Sequence, residues 1–316
     1  MIWLSSRAGW EPTAARDVLR RCSVASERDR WAEWLGERRH GGDLAVLEKQ
    51  LPAIHEFRDR VLANASIVEG DTVLDVGTGN GLVGFAALPL VGPAGQVIFS
   101  DVSQDLLQDC RELAAELGEL ERCSFLEASA DALPLADLSV DVVTTRSVLI
   151  YLMDKRPAFE EFFRVLRPGG RISLFEPVNI FGHDEQLRAY YGIDVTPVRQ
   201  LAEKVMASWK GPEEHPLLNF DERDLFRLAE EAGFDDIRLD YRAEVGKRPA
   251  MAPDWETLKR MSGNPLDPTP EEEIAAALTP AERAEFESYL AEALDAQPLV
   301  RDRRATMYLK AVKPGG

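Results

Sequence analysis

No apolar run in this sequence approaches the roughly 18 residues that cross a bilayer, so no membrane-spanning helix is expected. The opening MIWLSSRAGWEP has no basic stretch leading into an apolar one, and no secretory signal is expected either. Basic charge is scarce: 37 Lys and Arg stand against 55 Asp and Glu, a formal net charge of -18. That average field repels a phosphate backbone unless positive charge is locally clustered. The basic residues are scattered, with Arg20-Arg21 and Arg38-Arg39 only as doublets. Nucleic acid and membrane are therefore excluded as expected partners. Cysteine is scarce as well. Cys22, Cys110 and Cys123 are odd in number and not closely spaced, which fits a reducing compartment, the cytoplasm, and no disulfide framework. Without a CxxC or Cys/His cluster no metal site is expected. Three thiols could hold a thiophilic element; buried inert cysteines are the simpler expectation.

What is present suits a globular protein. Hydrophobic residues make up 45% and charged residues 29%, enough for a real core under a solvated surface. A chain of 316 residues allows one large domain or two modest ones. Residues 1–65 read as a helical arm, with apolar residues at helical spacing over Ser26–Gly36 and Asp43–Asn64 and a break at Gly41-Gly42. From Thr72 the period changes. Short β-rich runs at Thr72–Val76, Gln96–Asp101, Ser124–Glu127, Val140–Thr144 and Arg171–Pro177 alternate with amphipathic helices. That alternation predicts an α/β fold with a parallel sheet covered on both faces. Residues 66–316 form this domain, interrupted at about 181–218 and 246–303 by helical insertions. Between them Asp221 is expected to cap a helix that Gly233 stops, and Ile237–Tyr241 and Ala305–Val312 read as late strands. Arm and insertions are read together as a cap at the carboxyl edge of the strands, where ligands bind in such sheets.

The segment VLDVGTGNG, Val73–Gly81, runs an apolar strand into Asp75 and then Gly77, Gly79 and Gly81. Glycines let the backbone turn sharply and approach a ligand without a side chain in the way. The helix that follows points free N–H groups at that ligand. Asp75 can organise the loop and receive an ammonium group. Gly79, Gly81 and Gly84 also fit G-x-G-x-x-G, a dinucleotide fingerprint that is weak alone and here begins late. Asp101 ends QVIFSD, roughly 20 residues past the glycines, where an acid accepts two ribose hydroxyls. Asp131, in EASADALPLADLSVDVV, sits in a loop before the next strand, where an acid can accept an adenine amine. Arg164–Pro177, RVLRPGGRISLFEP, ends a helix, turns tightly at Pro168-Gly169-Gly170 and enters a buried strand.

In this order and spacing the four motifs resemble the class I S-adenosylmethionine (SAM)-dependent methyltransferases, strongly over about residues 66–180 and weakly to the end. The resemblance implies a Rossmann-like sheet of seven strands, the last antiparallel. It also implies that Asp75, Gly77 and Gly79 face the methionine part of SAM, that Asp101 holds the ribose, that Val102 packs on the adenine, and that Asp131 faces its amine. Other readings are a protein of this fold that binds SAM or S-adenosylhomocysteine (SAH) without transferring a methyl, and an NAD(P)-dependent oxidoreductase.

After the fourth strand the sequence reads TTRSVLIYL, Thr144–Leu152. It lacks the Asn/Asp-Pro-Pro-aromatic motif of adenine and amide methyltransferases, and Arg146 and Ser147 are poor substitutes for a magnesium-binding acid. The expected activity is methylation of a small-molecule acceptor at O, N or C, by direct in-line transfer. Such a site needs to hold a nucleophile about 3–3.5 Å from the methyl and exclude water. A hydroxyl nucleophile also needs a base. Glu176, His183 and His40 are the candidates to touch the acceptor or its proton. Tyr190, Tyr191, Trp255 and Met251 are apolar candidates for the cap, with core packing as the simpler role, and Trp31 and Trp34 are expected to dock the arm. By analogy alone, the arm and inserted helices could pair two subunits.

Overall fold

A computed structural model describes residues 28–187, 189–296 and 299–315. Cys22, the Arg20-Arg21 doublet and the beginning of the expected arm lie outside them. Five strands, β1 (Thr72–Val76), β2 (Gln96–Asp101), β3 (Cys123–Glu127), β4 (Val140–Arg146) and β5 (Leu166–Pro177), pair in parallel in the order β3-β2-β1-β4-β5. β6 (Ala189–Tyr190) and β7 (Ile193–Asp194) form a separate small hairpin. β8 (Asp235–Pro249) and β9 (Leu299–Val312) complete a sheet of seven, β9 lying antiparallel between β5 and β8. This is the expected seven-stranded arrangement with its final strand antiparallel.

The parallel strands are apolar on both faces because both are covered. On one face Val73, Val97, Val142 and Phe175 pack against three helices that follow α1 (Arg30–Gly36): α2 (Leu44–Ala65) through Ile54 and Val61, α3 (Gly84–Val91) through Phe85 and Leu88, and α4 (Gln104–Glu116) through Leu107. On the other face Leu74, Val76, Val143, Ile172 and Leu174 pack against α5 (Arg156–Val165), through Phe159 and Phe162. Adjacent residues such as Val73 and Leu74 thus enter opposite cores, as the period of two requires.

The insertions make a third core. It gathers Val46 of the arm, Tyr190 and Ile193 of the hairpin, and Val205 of α6 (Arg199–Met206). α7 (Glu222–Glu231) belongs instead to the sheet; Asp221 caps it with a reciprocal capping box, and Gly233 follows it at φ +100°. Trp255 and Leu258 of α8 (Trp255–Leu258), Ile274 of α9 (Pro270–Ala277) and Phe286 and Leu290 of α10 (Pro280–Ala296) fill the rest of the third core. Tyr190 donates from its hydroxyl to Glu273 Oε2 at 2.9 Å and is fully buried there, and Met251 is 55% exposed.

Two boundaries differ from expectation. β8 and β9 extend through Pro249 and back to Leu299, so the second insertion is shorter at both ends than 246–303. The extensions carry charge on both faces, which hides the alternation of a strand. β5 begins at Leu166, ahead of the Pro168–Gly170 turn, with Gly169 at φ +79° in the ladder.

Arg171 pins the entry to the sheet. Its guanidinium donates to Ala65 O at 2.6 Å, Ser66 O at 2.7 Å and Asp71 Oδ2 at 2.5 Å, and the Asp71 side chain is 9% exposed. Removing one partner of such a pair strands a buried charge. Arg171→Met is expected to lower the unfolding free energy by about 3 kcal/mol in urea titration. Arg199→Ala, which breaks the exposed Arg199–Glu203 pair, is expected to cost about 0.5 kcal/mol or less.

Candidate active site

The strand order reverses between β1 and β4, which opens a crevice beyond the carboxyl ends of those strands. Asp75 lies at that point. It is buried, and three groups donate to it: Thr78 Oγ1 at 2.7 Å and Gly84 N at 3.0 Å to Oδ2, and Thr144 Oγ1 at 2.8 Å to Oδ1. Burial pushes its pKa up to about 6, against the hydrogen bonds from Thr78, Thr144 and Gly84. One carboxylate thereby ties the glycine loop to β4 and to the start of α3. Gly77 has φ +62°, and a Cβ there would lie 2.3 Å from Val148 Cγ2. Gly79 has φ +56°, and its Cβ would meet Leu35 of the arm at 3.3 Å, across the crevice. A side chain at either position would fill a cradle that bare backbone leaves open.

Asp101 ends β2 beside the loop. Its Oδ2 accepts from Gly79 N at 2.8 Å and its Oδ1 from Ser103 N at 3.0 Å. Each oxygen keeps a lone pair for a further donor, and burial raises its pKa. Val102 beside it is 45% exposed and faces the cavity as an apolar platform. The arm closes this side. Asp29 caps α1, its backbone N–H donates to Asp105 Oδ2 at 2.7 Å, and its Oδ2 accepts from Ser103 Oγ at 2.6 Å. Trp31 meets Tyr151 edge-on at 5.0 Å, and Trp34 donates from Nε1 to Ser262 O at 2.9 Å.

These elements enclose a cavity of about 390 Å³ that Asp75, Gly77, Gly79, Asp101 and Val102 all line, with Trp31 and Trp34 opposite. A second cavity, of about 320 Å³, lies over the ends of β4, β5 and β9. Arg39, Arg146, Ser147, Pro177 and Asn179 line both. Ser147 has φ +57°, a conformation that costs a non-glycine residue energy and recurs where a site needs it. Burial lowers the pKa of Arg39 to about 10, with the nearby Arg146 charge acting in the same direction, and burial lowers that of Arg146.

Other expected site residues fall elsewhere. Asp131 is exposed and does not line the cavity; Ser129 and Ala130, just before it, do. Glu176 is fully buried beneath the turn after β4, where Oε1 accepts from Val148 N and Leu149 N at 2.9 Å and Oε2 from Ile150 N at 3.3 Å. It lines neither cavity and holds the turn after β4. Burial pushes its pKa up to about 7 against those three N–H donors. His40 is buried, with Nε2 2.9 Å from Gly36 O and Nδ1 unpartnered, and burial lowers its pKa. His40 and His183 also lie outside both cavities. The same holds for Tyr190, Tyr191, Trp255 and Met251. Sequence reasoning gave no site role to Arg39, met only in the Arg38-Arg39 doublet, or to Arg146; they lie far apart in the chain and share a wall only when it folds. Cys110 is buried and donates to Gly79 O at 3.4 Å, and burial holds both its thiol and that of Cys123 well up, the latter at about 11. Among the described residues no cluster of metal-ligating side chains occurs.

A family model described as a methyltransferase domain matches residues 67–235, which include the glycine loop, Asp101 and the turn after β4. The chain belongs to the class I SAM-dependent methyltransferases. Among curated relatives, the ubiquinone/menaquinone biosynthesis C-methyltransferase UbiE of Cronobacter sakazakii is 30% identical over 195 residues, covering 58% of this chain and 74% of that protein. The arsenite methyltransferase of Halobacterium salinarum is 38% identical over 116 residues, 37% of this chain and 29% of that protein. The crystal structure of the YcgJ protein from Bacillus subtilis shares the fold, with a TM-score of 0.51 at 19% identity over 83% of this chain and all of that one. The methyltransferase sheet therefore accounts for the conserved architecture, and SAM is its cofactor.

Glu176 has an observable consequence. Its native pKa of about 7 lies above its ordinary 4.5, so the folded state holds this proton more tightly than the unfolded one. Its contribution to stability is present in full below pH 4.5 and is lost as pH rises through 7. In Glu176→Gln that component is absent. The stability difference between wild type and variant is expected to shift against the wild type between pH 5 and 8; a difference independent of pH would show the carboxylate ionised throughout.

Proposed function

We propose that this methyltransferase acts on a small-molecule acceptor, with SAM in the first cavity and the acceptor reaching it from the second. The observation that carries this reading is the arm lying over the glycine loop and Asp101, which leaves a cavity of about 390 Å³, of small-molecule size, between them. Bound SAM supplies an electrophilic methyl on a cationic sulfur. The chain holds and orients. The glycine loop, kept in shape by Asp75, backs the methionine part through Gly77 and Gly79; Asp101 accepts the ribose hydroxyls on its free lone pairs; Val102 packs on the adenine. The backbone at Ser129 and Ala130 meets the adenine edge, with Asp131 just outside. Trp31, Trp34 and Tyr151 exclude water, which favours direct in-line transfer.

The net charge of -18 supports exclusion of nucleic acid, and no helix among the described residues is long and apolar enough to cross a membrane. Scarce cysteine supports a reducing, cytoplasmic setting, and the likeness to a ubiquinone/menaquinone biosynthesis C-methyltransferase supports a role in small-molecule biosynthesis. A homodimer through the arm and inserted helices is the assembly that sedimentation would test.

Calorimetric titration with SAH, alongside NADH, checks the cofactor assignments. SAH is expected to bind and NADH not. Asp101→Ala is expected to weaken SAH about 10- to 100-fold, the worth of charged hydrogen bonds to two hydroxyls. Asp131→Ala decides the adenine contact: an effect within about threefold supports the Ser129–Ala130 edge, and a loss like that of Asp101→Ala returns the role to Asp131. Binding of NADH in place of SAH would overturn the proposed arrangement.

A further inference from the structure

We propose that the acceptor is an organic anion with a flat apolar body, held by Arg39 and Arg146 where the two cavities meet. The inference rests on the reading of the first cavity as the SAM site. Four arginines line the second cavity or its shared wall, and they are not equivalent. Arg304 pairs with Glu244 at 3.1 Å, and Arg303 lies over the Phe181 ring at 4.8 Å. Arg39 and Arg146 make no ion pair with a carboxylate among the described residues. Arg39 is steered only by the Trp34 face, 5.6 Å from its guanidinium carbon. Two half-buried cations side by side, neither in contact with a carboxylate, cost free energy, and an anion between them lowers that cost. The nearest acids stop short of contact: Glu176 and Asp75 act on Arg146 only through space, their oxygens hydrogen-bonded to the turn and the glycine loop, and Asp302, which lines the second cavity, pairs with Arg248 at 2.8 Å.

The second cavity supplies the rest of the recognition. Phe57 and Phe175 line it and stack on each other with centroids 4.3 Å apart, an apolar wall beside the two guanidinium groups. A planar carboxylate, phenol or enol fits that pairing.

The same arrangement explains how the site works with no base among Glu176, His40 and His183. Two guanidinium groups lower the pKa of an acidic acceptor and keep it ionised. Its lone pair then forms the bond to the methyl carbon, the methyl–sulfur bonding pair stays on sulfur, and no proton has to be removed. One negative and one positive charge vanish together. Where the ionised atom is the one methylated, the product is neutral, loses its hold on Arg39 and Arg146, and leaves.

The test uses the full chain saturated with SAH. Benzoate and its neutral counterpart benzamide are titrated calorimetrically; 4-nitrophenol is titrated with pH in its presence and read by the phenolate absorbance. Benzoate is expected to bind at least about tenfold tighter than benzamide, or the bound nitrophenol to stay ionised at lower pH than when free. The first result identifies a carboxylate seat and the second an ionised-hydroxyl seat. Arg39→Gln and Arg146→Gln are each expected to abolish the preference while changing SAH affinity by less than about threefold, and Arg146→Gln to raise the melting temperature by about 2 °C or more as an uncompensated charge is removed. No preference for either anion in the wild type overturns the proposal. So does a loss of SAH affinity in the arginine variants with the anion preference intact, which would assign them to the cofactor's own carboxylate. If the wild type does not bind SAH at all, the reading of the first cavity fails, a result distinct from either.

Discussion

The carboxylate of Asp75 is the constraint on which the site depends. It is buried at the point where the sheet reverses direction, and it holds three separate stretches of chain: Thr78 in the glycine loop, Thr144 in β4 and the amide that begins α3. A buried acid is costly unless its oxygens are satisfied, and here every bond it accepts also fixes backbone that must stay bare. Glu176 repeats the arrangement one strand over. Its oxygens gather the amides of Val148, Leu149 and Ile150 and so set the turn whose Val148 side chain abuts Gly77. Two buried carboxylates thus shape the floor of the cavity, Asp75 as part of its lining and Glu176 from below.

The roof depends on a different economy. α1 is short and cannot hold itself in place by helical propensity. It is fastened at one end through Asp29 to Ser103 and Asp105, and at the other through Arg38, whose carbonyl accepts from Ser262 N and whose guanidinium reaches Glu272 at 2.6 Å. The arm is therefore bonded both to the sheet and to the second insertion. Elements far apart in sequence share one core through Val46, Tyr190, Trp255 and Phe286. Movement of the insertions would carry Trp34 and Arg39 with them, which links the shape of the acceptor side to packing remote from it.

Much of this was legible in the chain. The glycine loop, Asp101, the parallel strands and the two late strands follow from local patterns: an apolar run ending in an acid, glycines at alternate positions, amphipathic helices between; the antiparallel direction of the last strand came from the family resemblance. What was illegible has physical causes. The far half of the β8–β9 hairpin, with pairs such as Glu244 and Arg304, shows no alternation because neither face is a core. The exposure of Asp131 could not be read from its charge: the loop turns at Ser129, whose carbonyl accepts from Ala132 N at 3.1 Å, and leaves Asp131 exposed beside the cavity. Glu176 stands at the right end of the right strand. Its side chain turns under the adjacent turn because three orphan amides are nearer than the cavity.

Arg39 and Arg146 show why charge counted along a chain misleads. A sum of -18 argues correctly about long-range partners and says nothing about a single enclosed site, where low dielectric and missing counterions decide. One arginine comes from the arm and the other from the end of β4, and each alone would be an ordinary surface cation. Folding brings them to a common wall against Trp34, Phe57 and Phe175, with the nearby carboxylates bonded to other groups. The acids that build the floor and the arginines left unpaired above it are then parts of one arrangement. Negative charge goes into architecture, so that Arg39 and Arg146 face the second cavity without a carboxylate in contact, the place the proposed ligand would fill.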